Sequence, residues 1–171
     1  MLPDTETPEQ EDHEEYYRAY FGNDAEYYLQ KLEQYREGRK ITFNIAAFFF
    51  GIFWMLYRRM YKQGLIIMVA LTVESYLLSL AIQQYGISES DARMLNNIST
   101  LFWSTLVGFL GNWLYLKQAQ AKVEQALEEE DQESEIISRL TAEGNITLIP
   151  HIIIAALILL LILVYQTGLS M

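Results

Sequence analysis

Three stretches of about twenty mostly apolar residues, each close to the length a helix needs to cross a bilayer core of roughly 30 Å, constrain this chain more than any other feature. They are 64–84 (GLIIMVALTVESYLLSLAIQQ), 98–116 (ISTLFWSTLVGFLGNWLYL) and 146–165 (ITLIPHIIIAALILLLILVY). A soluble fold interleaves polar and apolar residues at helix or strand period. Here they are segregated, and 171 residues leave too little protein to cover three such helices. The mean hydropathy of +0.07 averages two populations. The sequence therefore predicts an all-α membrane protein with three transmembrane helices.

The polar population is acidic. Net charge is −10, with eleven acids and five bases in residues 1–40 and eight acids and three bases in residues 117–145. Such a chain repels phosphates, so nucleic acid is excluded as a partner. The absence of cysteine removes disulfides, thiolate catalysis and thiolate-bound zinc. No basic segment precedes an apolar one at the N-terminus, so no signal peptide is expected.

A fourth apolar segment, 41–63, decides the topology. Its apolar part ends at Tyr57 and is interrupted by Asn44 and Gly51. Seventeen residues from Ile41 to Tyr57 lie at the lower limit for spanning. Arg36, Arg39 and Lys40 flank one end, and Arg58, Arg59 and Lys62 the other. Clusters of this kind stay cytoplasmic, so both ends ask for the same side. A re-entrant or interfacial hairpin bent at Gly51 satisfies both. The predicted topology then has a cytoplasmic N-terminus, an outside loop over 85–97 and an outside C-terminal tail. A four-span alternative moves only residues 1–40 to the other side.

Residues 1–23 read as a disordered acidic N-terminus, most clearly over 1–12. Tyr28, Leu32 and Tyr35 follow the i, i+4, i+7 spacing, which predicts an amphipathic cytoplasmic helix over 24–40, capped by Asp24 and ended near Gly38. Its tyrosines suit either the protein's own cytoplasmic face or a docked partner. Residues 117–145 form an acidic helical connector by propensity, turning at Gly144-Asn145. The run 128–135 reads more simply as a solvated face than as a binding site, held off the membrane by anionic headgroups.

Glu74 lies at the middle of the first span, where a carboxylate costs about 2.5–3.5 kcal/mol. The expected remedies are protonation or a partner, with Ser104, Thr105, Asn112 and Asn44 as candidate intramembrane polar partners. Glu74 serves either as a proton or ion site or as a hydrogen bond that fixes packing. With no second titratable group deep in any span, the packing role is the simpler one. Ser104, Gly108 and Gly111 make a small-residue face for a close helix crossing, most simply against the first span, or for self-association as a homo-oligomer. Trp54, Tyr57, Arg58, Arg59 and Lys62 read as cytoplasmic-interface anchors that reach lipid phosphates. His13 and His151 share no ligand spacing, so no metal is expected. Asn97 and Asn145 match the short glycosylation pattern, but at predicted membrane edges. No nucleophile elbow, P-loop, zinc motif or dinucleotide fingerprint occurs, so neither enzyme chemistry nor a cofactor is expected.

One string is distinctive: Tyr27-Tyr28 with Lys31, Gly38 with Lys40, Phe43-Asn44 with Ala46-Ala47-Phe48, Phe50-Gly51, Trp54, and Tyr57-Arg58 with Met60-Tyr61, followed later by Gly111-Asn112 and Tyr115-Leu116. It resembles domain-of-unknown-function family 2628, best over residues 27–64 and more weakly to about 122. The resemblance implies a small bacterial integral membrane protein and supplies no catalytic residues to carry over. Members often carry Gly-Pro where this chain has Gly51-Ile52, so the bend here lacks that enforcement.

Three functions remain open on these grounds. The first is a non-catalytic scaffold or accessory subunit presenting acidic cytoplasmic segments to a membrane or cytoplasmic protein partner. The second is an oligomeric ion- or proton-conducting protein using Glu74. The third is a lipid-interacting protein using the aromatic wedge.

Overall fold

A computed structural model describes residues 8–168, and among these every regular element is helical. The helices are α1 (Pro8–Phe21), α2 (Ala25–Arg36), α3 (Ile45–Tyr57), α4 (Tyr61–Tyr85), α5 (Glu89–Glu129), α6 (Glu133–Glu143) and α7 (Ile149–Gly168), with a 3-10 turn at Gly22–Asp24.

The N-terminal segment departs from the expectation of disorder over 1–23. Residues 1–7 lie outside the described residues, but Pro8–Phe21 is helix. Tyr17, Tyr20 and Phe21 are buried in it. These positions recur at helical spacing, and α1 gains its stability by laying that stripe on α5 and α6. The composition of 1–12 hid a stripe that starts just after it. Helix α2 follows the predicted pattern, with Tyr28 and Leu32 buried. Asp24 sits at its N-cap position but makes no side-chain cap bond, because its carboxylate is turned to Arg58.

Helix α5 has 41 residues, about 62 Å at 1.5 Å per residue. It absorbs most of the predicted 85–97 loop, the predicted 98–116 span and the first half of the connector. Only Gly86, left-handed at φ 60°, and its two successors separate it from α4. The connector is two helices rather than one. It breaks within the acidic run 128–131, after Glu129, and α6 folds back on α1 and α5. The turn at Gly144-Asn145 stands as predicted, with Asn145 N donating to Tyr20 O at 2.9 Å.

Two surfaces result. One end is a helical head of α1, α2, α6 and the C-terminal half of α5, closed around Tyr20, Phe21, Tyr28, Tyr115, Val123 and Leu140. The other end is apolar and bare. Tyr61–Tyr85 and Ile149–Gln166 are two helices long and apolar enough to cross a membrane. The predicted middle span divides between these surfaces. Ile98, Leu101 and Phe102 are exposed, whereas Val107, Gly111, Tyr115 and Leu116 are buried.

Candidate functional site: the joint between hairpin and head

The apolar segment after residue 41 is bent back on itself. Asn44 caps α3 with Oδ1, which accepts from Ala47 N at 2.8 Å. Seven residues after this cap the helix breaks at Gly51, whose φ of 49° and ψ of −119° suit glycine and strain other residues. Ala47 precedes the break and Trp54 follows it, yet both lie against Gly111. A Cβ there would stand 2.8 Å from Ala47 Cβ and 3.3 Å from Trp54 Cζ3. Two arms therefore flank one glycine. At the neighbouring turn, a Cβ on Gly108 would meet the Phe43 ring at 2.8 Å. The small-residue face thus receives the hairpin, not the first span beside Glu74 as the sequence suggested. Ser104 sits half-buried one turn outward on α5.

Both feet of the hairpin are fixed to polar groups. At the first, Asn44 N donates to Gly108 O at 2.8 Å, and Asn44 Nδ2 donates to Asn112 Oδ1 at 2.7 Å. Asn112 Nδ2 in turn donates to Thr42 Oγ1 at 2.9 Å and to Tyr27 OH at 3.2 Å. Asn44 and Asn112 are 4% and 1% exposed, so this closed set satisfies amides that would otherwise cost several kcal/mol to bury.

At the second foot, Arg58 is 6% exposed. It pairs with Asp24, and its guanidinium lies 4.7 Å from the Tyr28 ring centre and 5.5 Å from that of Tyr115. Burial pushes the Tyr28 phenol up to about 12, against the opposing pull of Arg58. An arginine here spreads its charge over aromatic faces while keeping one carboxylate.

The predicted interface anchors are accordingly redistributed. Arg58 faces the protein core and does not reach lipid phosphates. Trp54 is also buried. Arg59, left-handed at φ 56°, donates to Ala142 O in the head. Tyr57 is half-buried, and its carbonyl accepts from Thr147 N at 3.0 Å. Lys62 alone of the five is exposed and charged. The exposed face of the hairpin is instead Ile45, Phe49, Phe50 and Phe53, at 67%, 72%, 63% and 50%.

Glu74 is half-buried, and its Oε1 accepts from Ser99 Oγ at 2.8 Å. The expected partners Ser104, Thr105, Asn112 and Asn44 are elsewhere. Thr105 is half-buried on α5, six residues from Ser99, or about 9 Å along a helix. The α5 turns around 108–116 sit beside the hairpin and head, and Glu74 meets α5 further out, at Ser99. His151 reaches Phe53 O at 3.0 Å through Nε2. The carbonyl can only accept, so Nε2 carries the proton. Among the described residues no group of three His, Asp or Glu side chains converges.

Sequence reasoning missed the Arg58 cage because it weighed the arginine with its charged neighbours. Asp24 and Tyr28, one turn apart at the start of α2, were the signal. The model of the family described as "Protein of unknown function (DUF2628)" matches residues 9–120, which run from α1 through the hairpin and α4 into the head end of α5. No curated protein and no solved structure matches the chain.

Proposed function

The chain belongs to the DUF2628 family, and from that footing we propose that it is a non-catalytic scaffold or accessory subunit of the bacterial inner membrane. In this reading α4, the 98–116 part of α5 and α7 span, the hairpin re-enters, and the head with the N-terminus is cytoplasmic. The charge distribution supports it. Arg36, Arg39, Lys40, Arg58, Arg59, Lys62, Lys117 and Lys122 gather at the head end, while Arg93 at the far end is offset by Glu89 at 2.6 Å. The head offers a partner protein an acidic face. Glu124, Glu128, Asp131, Glu133 and Glu135 are exposed and make no ion pair among the described residues.

One observation carries the reading. The two feet of the hairpin rest at Asn112 and Tyr115, three residues apart on one helix, which supports residues 41–63 entering and leaving on the same side. Because the chain has no native cysteine, single cysteines at 40 and 62 test it directly. Both should react with a membrane-impermeant reagent from the cytoplasmic side only, and labelling from opposite sides overturns the topology. The scaffold role requires a co-purifying protein in mild detergent, lost when Glu124, Glu128 and Asp131 are neutralised. Repeated isolation of the chain alone defeats it.

The half-buried Glu74, with Ser99 as its hydrogen-bond donor, favours a second reading as an oligomeric proton or ion conductor. Flux in liposomes that disappears in Glu74→Gln would select it over the first.

A further inference from the structure

The hairpin's neighbours measure how deep it goes. Along the approach to α7 and its first turn, Tyr57 O bonds Thr147 N and Phe53 O bonds His151. Four residues on one run match four on the other in antiparallel register, which sets Gly51 level with about Ile153. Along α5 the first arm crosses between Gly108 and Asn112, with Asn44 on both of these residues, Ala47 on Gly111 and Phe48 on Gly108, so it stays near that level. Along α4, Gly64 faces Ile52, Met55 and Leu56, which sets Gly51 level with about Ile67 and Met68. The Glu74–Ser99 bond carries the level of Met68 to about Thr105 on α5. The contacts along α7 and α4 therefore set the level of the tip.

That level is shallow. Met68 is seven residues into α4, or about 10 Å at 1.5 Å per residue, and the midpoint of α4 is about 7 Å further on. Ile153 is likewise about four to five residues short of the middle of the α7 apolar stretch, Ile149–Gln166. A leaflet's share of the hydrocarbon is about 15 Å, so the tip stops inside one leaflet.

Resting on the membrane placement proposed above, we infer that the hairpin is a one-leaflet wedge whose ligand is the acyl chains of the head-side monolayer. Below the level of Gly51 the protein presents five helical segments, namely the two arms with α4, α5 and α7. Above it only α4, α5 and α7 continue among the described residues. Phe49, Phe50 and Phe53 meet lipid on the wide side. A body wider in one monolayer favours membrane in which that monolayer is convex, as inserted amphipathic segments do.

The test uses the full chain in giant vesicles with the head outside, labelled through Gln132→Cys, and membrane tubes drawn from them. The protein should be enriched on the tube over the flat parent membrane. The triple substitution Phe49→Ser, Phe50→Ser and Phe53→Ser should lose that enrichment while the protein still resists alkaline carbonate extraction. A fluorophore on Phe50→Cys should be quenched most by lipids spin-labelled near the headgroup of the head-side leaflet. Equal density on tube and flat membrane, or strongest quenching by midplane labels, overturns the wedge while leaving the spans in place. Extraction of the wild-type chain by carbonate overturns the membrane placement beneath it.

Discussion

Asn44 and Asn112, 68 positions apart in the chain, meet amide to amide at 2.7 Å and are almost completely enclosed. Each also performs a second task. Asn44 Oδ1 caps α3 through Ala47 N, and Asn112 Nδ2 serves Thr42 and Tyr27. Neither partner is replaceable by an apolar residue of similar size. Asn112→Leu strands the Asn44 amide and leaves the Thr42 and Tyr27 hydroxyls without their donor. An unsatisfied buried group costs about 1–3 kcal/mol, so the variant should melt measurably earlier in mild detergent. Its first hairpin foot should also become open to protease near Lys40. A variant with unchanged melting and unchanged protection would show that the polar set does not hold the foot.

The second foot makes a sharper demand, because Arg58 is buried and Asp24 is 45% exposed at its side chain. Removing one member of a buried pair costs about 3–5 kcal/mol, and replacing both with well-packed apolar residues costs much less. The half-exposed carboxylate moves this case to the low end of that range. Asp24→Ala should therefore destabilise more than the double variant Asp24→Ala/Arg58→Met, whose methionine lies between the Tyr28 and Tyr115 rings. Purely additive effects of the two substitutions on the melting temperature would contradict this coupling.

The division between legible and hidden features follows from range. Helix α2, the bend at Gly51, the turn at Gly144 and the apolar stretches of α4 and α7 are written locally, in spacing, glycine and hydropathy. The small-residue face of α5 was legible as well, but not its occupant. Nothing near Gly108 or Gly111 says that Phe43 and Ala47 will lie there, and only the return of the chain brings them. Arg58 was misassigned for the same reason. Its charge is local information, whereas the cage that buries it comes from α2 and α5. Glu74 missed its expected partner because the level of α4 against α5 is set by the hairpin between them, which sequence pairing by helix ends ignores.

The glycines rank by what surrounds them. A Cβ on Gly144 would lie 2.1 Å from Tyr20 O, and on Gly111 2.8 Å from Ala47 Cβ. The first obstacle is backbone and cannot rotate away, whereas the second is one methyl group at the hairpin crossing. Gly51 has open space but a positive φ paired with ψ −119°, a sparsely populated region where alanine costs about 1–3 kcal/mol. We expect Gly144→Ala to be the most damaging of the three, with the Asn145 to Tyr20 bond lost and α6 loosened from α1. Gly51→Ala should fold with modest loss, and Gly111→Ala should push the arms outward. The order is read from melting temperatures, and a Gly144→Ala protein as stable as Gly51→Ala would refute it.

The head should come apart in acid, because its α5–α6 clamp is built from carboxylates. Arg139 pairs with Glu129 at 2.7 Å and with Glu143 at 3.0 Å, and Lys122 pairs with Glu143 at 2.7 Å. Burial pushes the Glu143 carboxyl up, but the hydrogen bonds from Lys122 and Arg139 together outweigh it and hold the group below its ordinary 4.5. Glu129 is lowered by its bonds from Gln125 and Arg139. A carboxyl whose folded pKa lies below its unfolded one binds fewer protons when folded. Its stabilisation is complete above the unfolded value and is lost as pH falls through the folded one. The transition therefore lies below about pH 4.5, near the ordinary carboxylate range, and not near neutrality. Near-UV circular dichroism of the head tyrosines, followed from pH 7 to pH 3 in detergent, should report it as α6 leaves α1 and exposes Tyr17 and Tyr20. Glu143→Gln should weaken the signal at pH 7 and flatten its dependence on acid. An acid transition of unchanged size and midpoint in that variant would place the sensitivity elsewhere in the head.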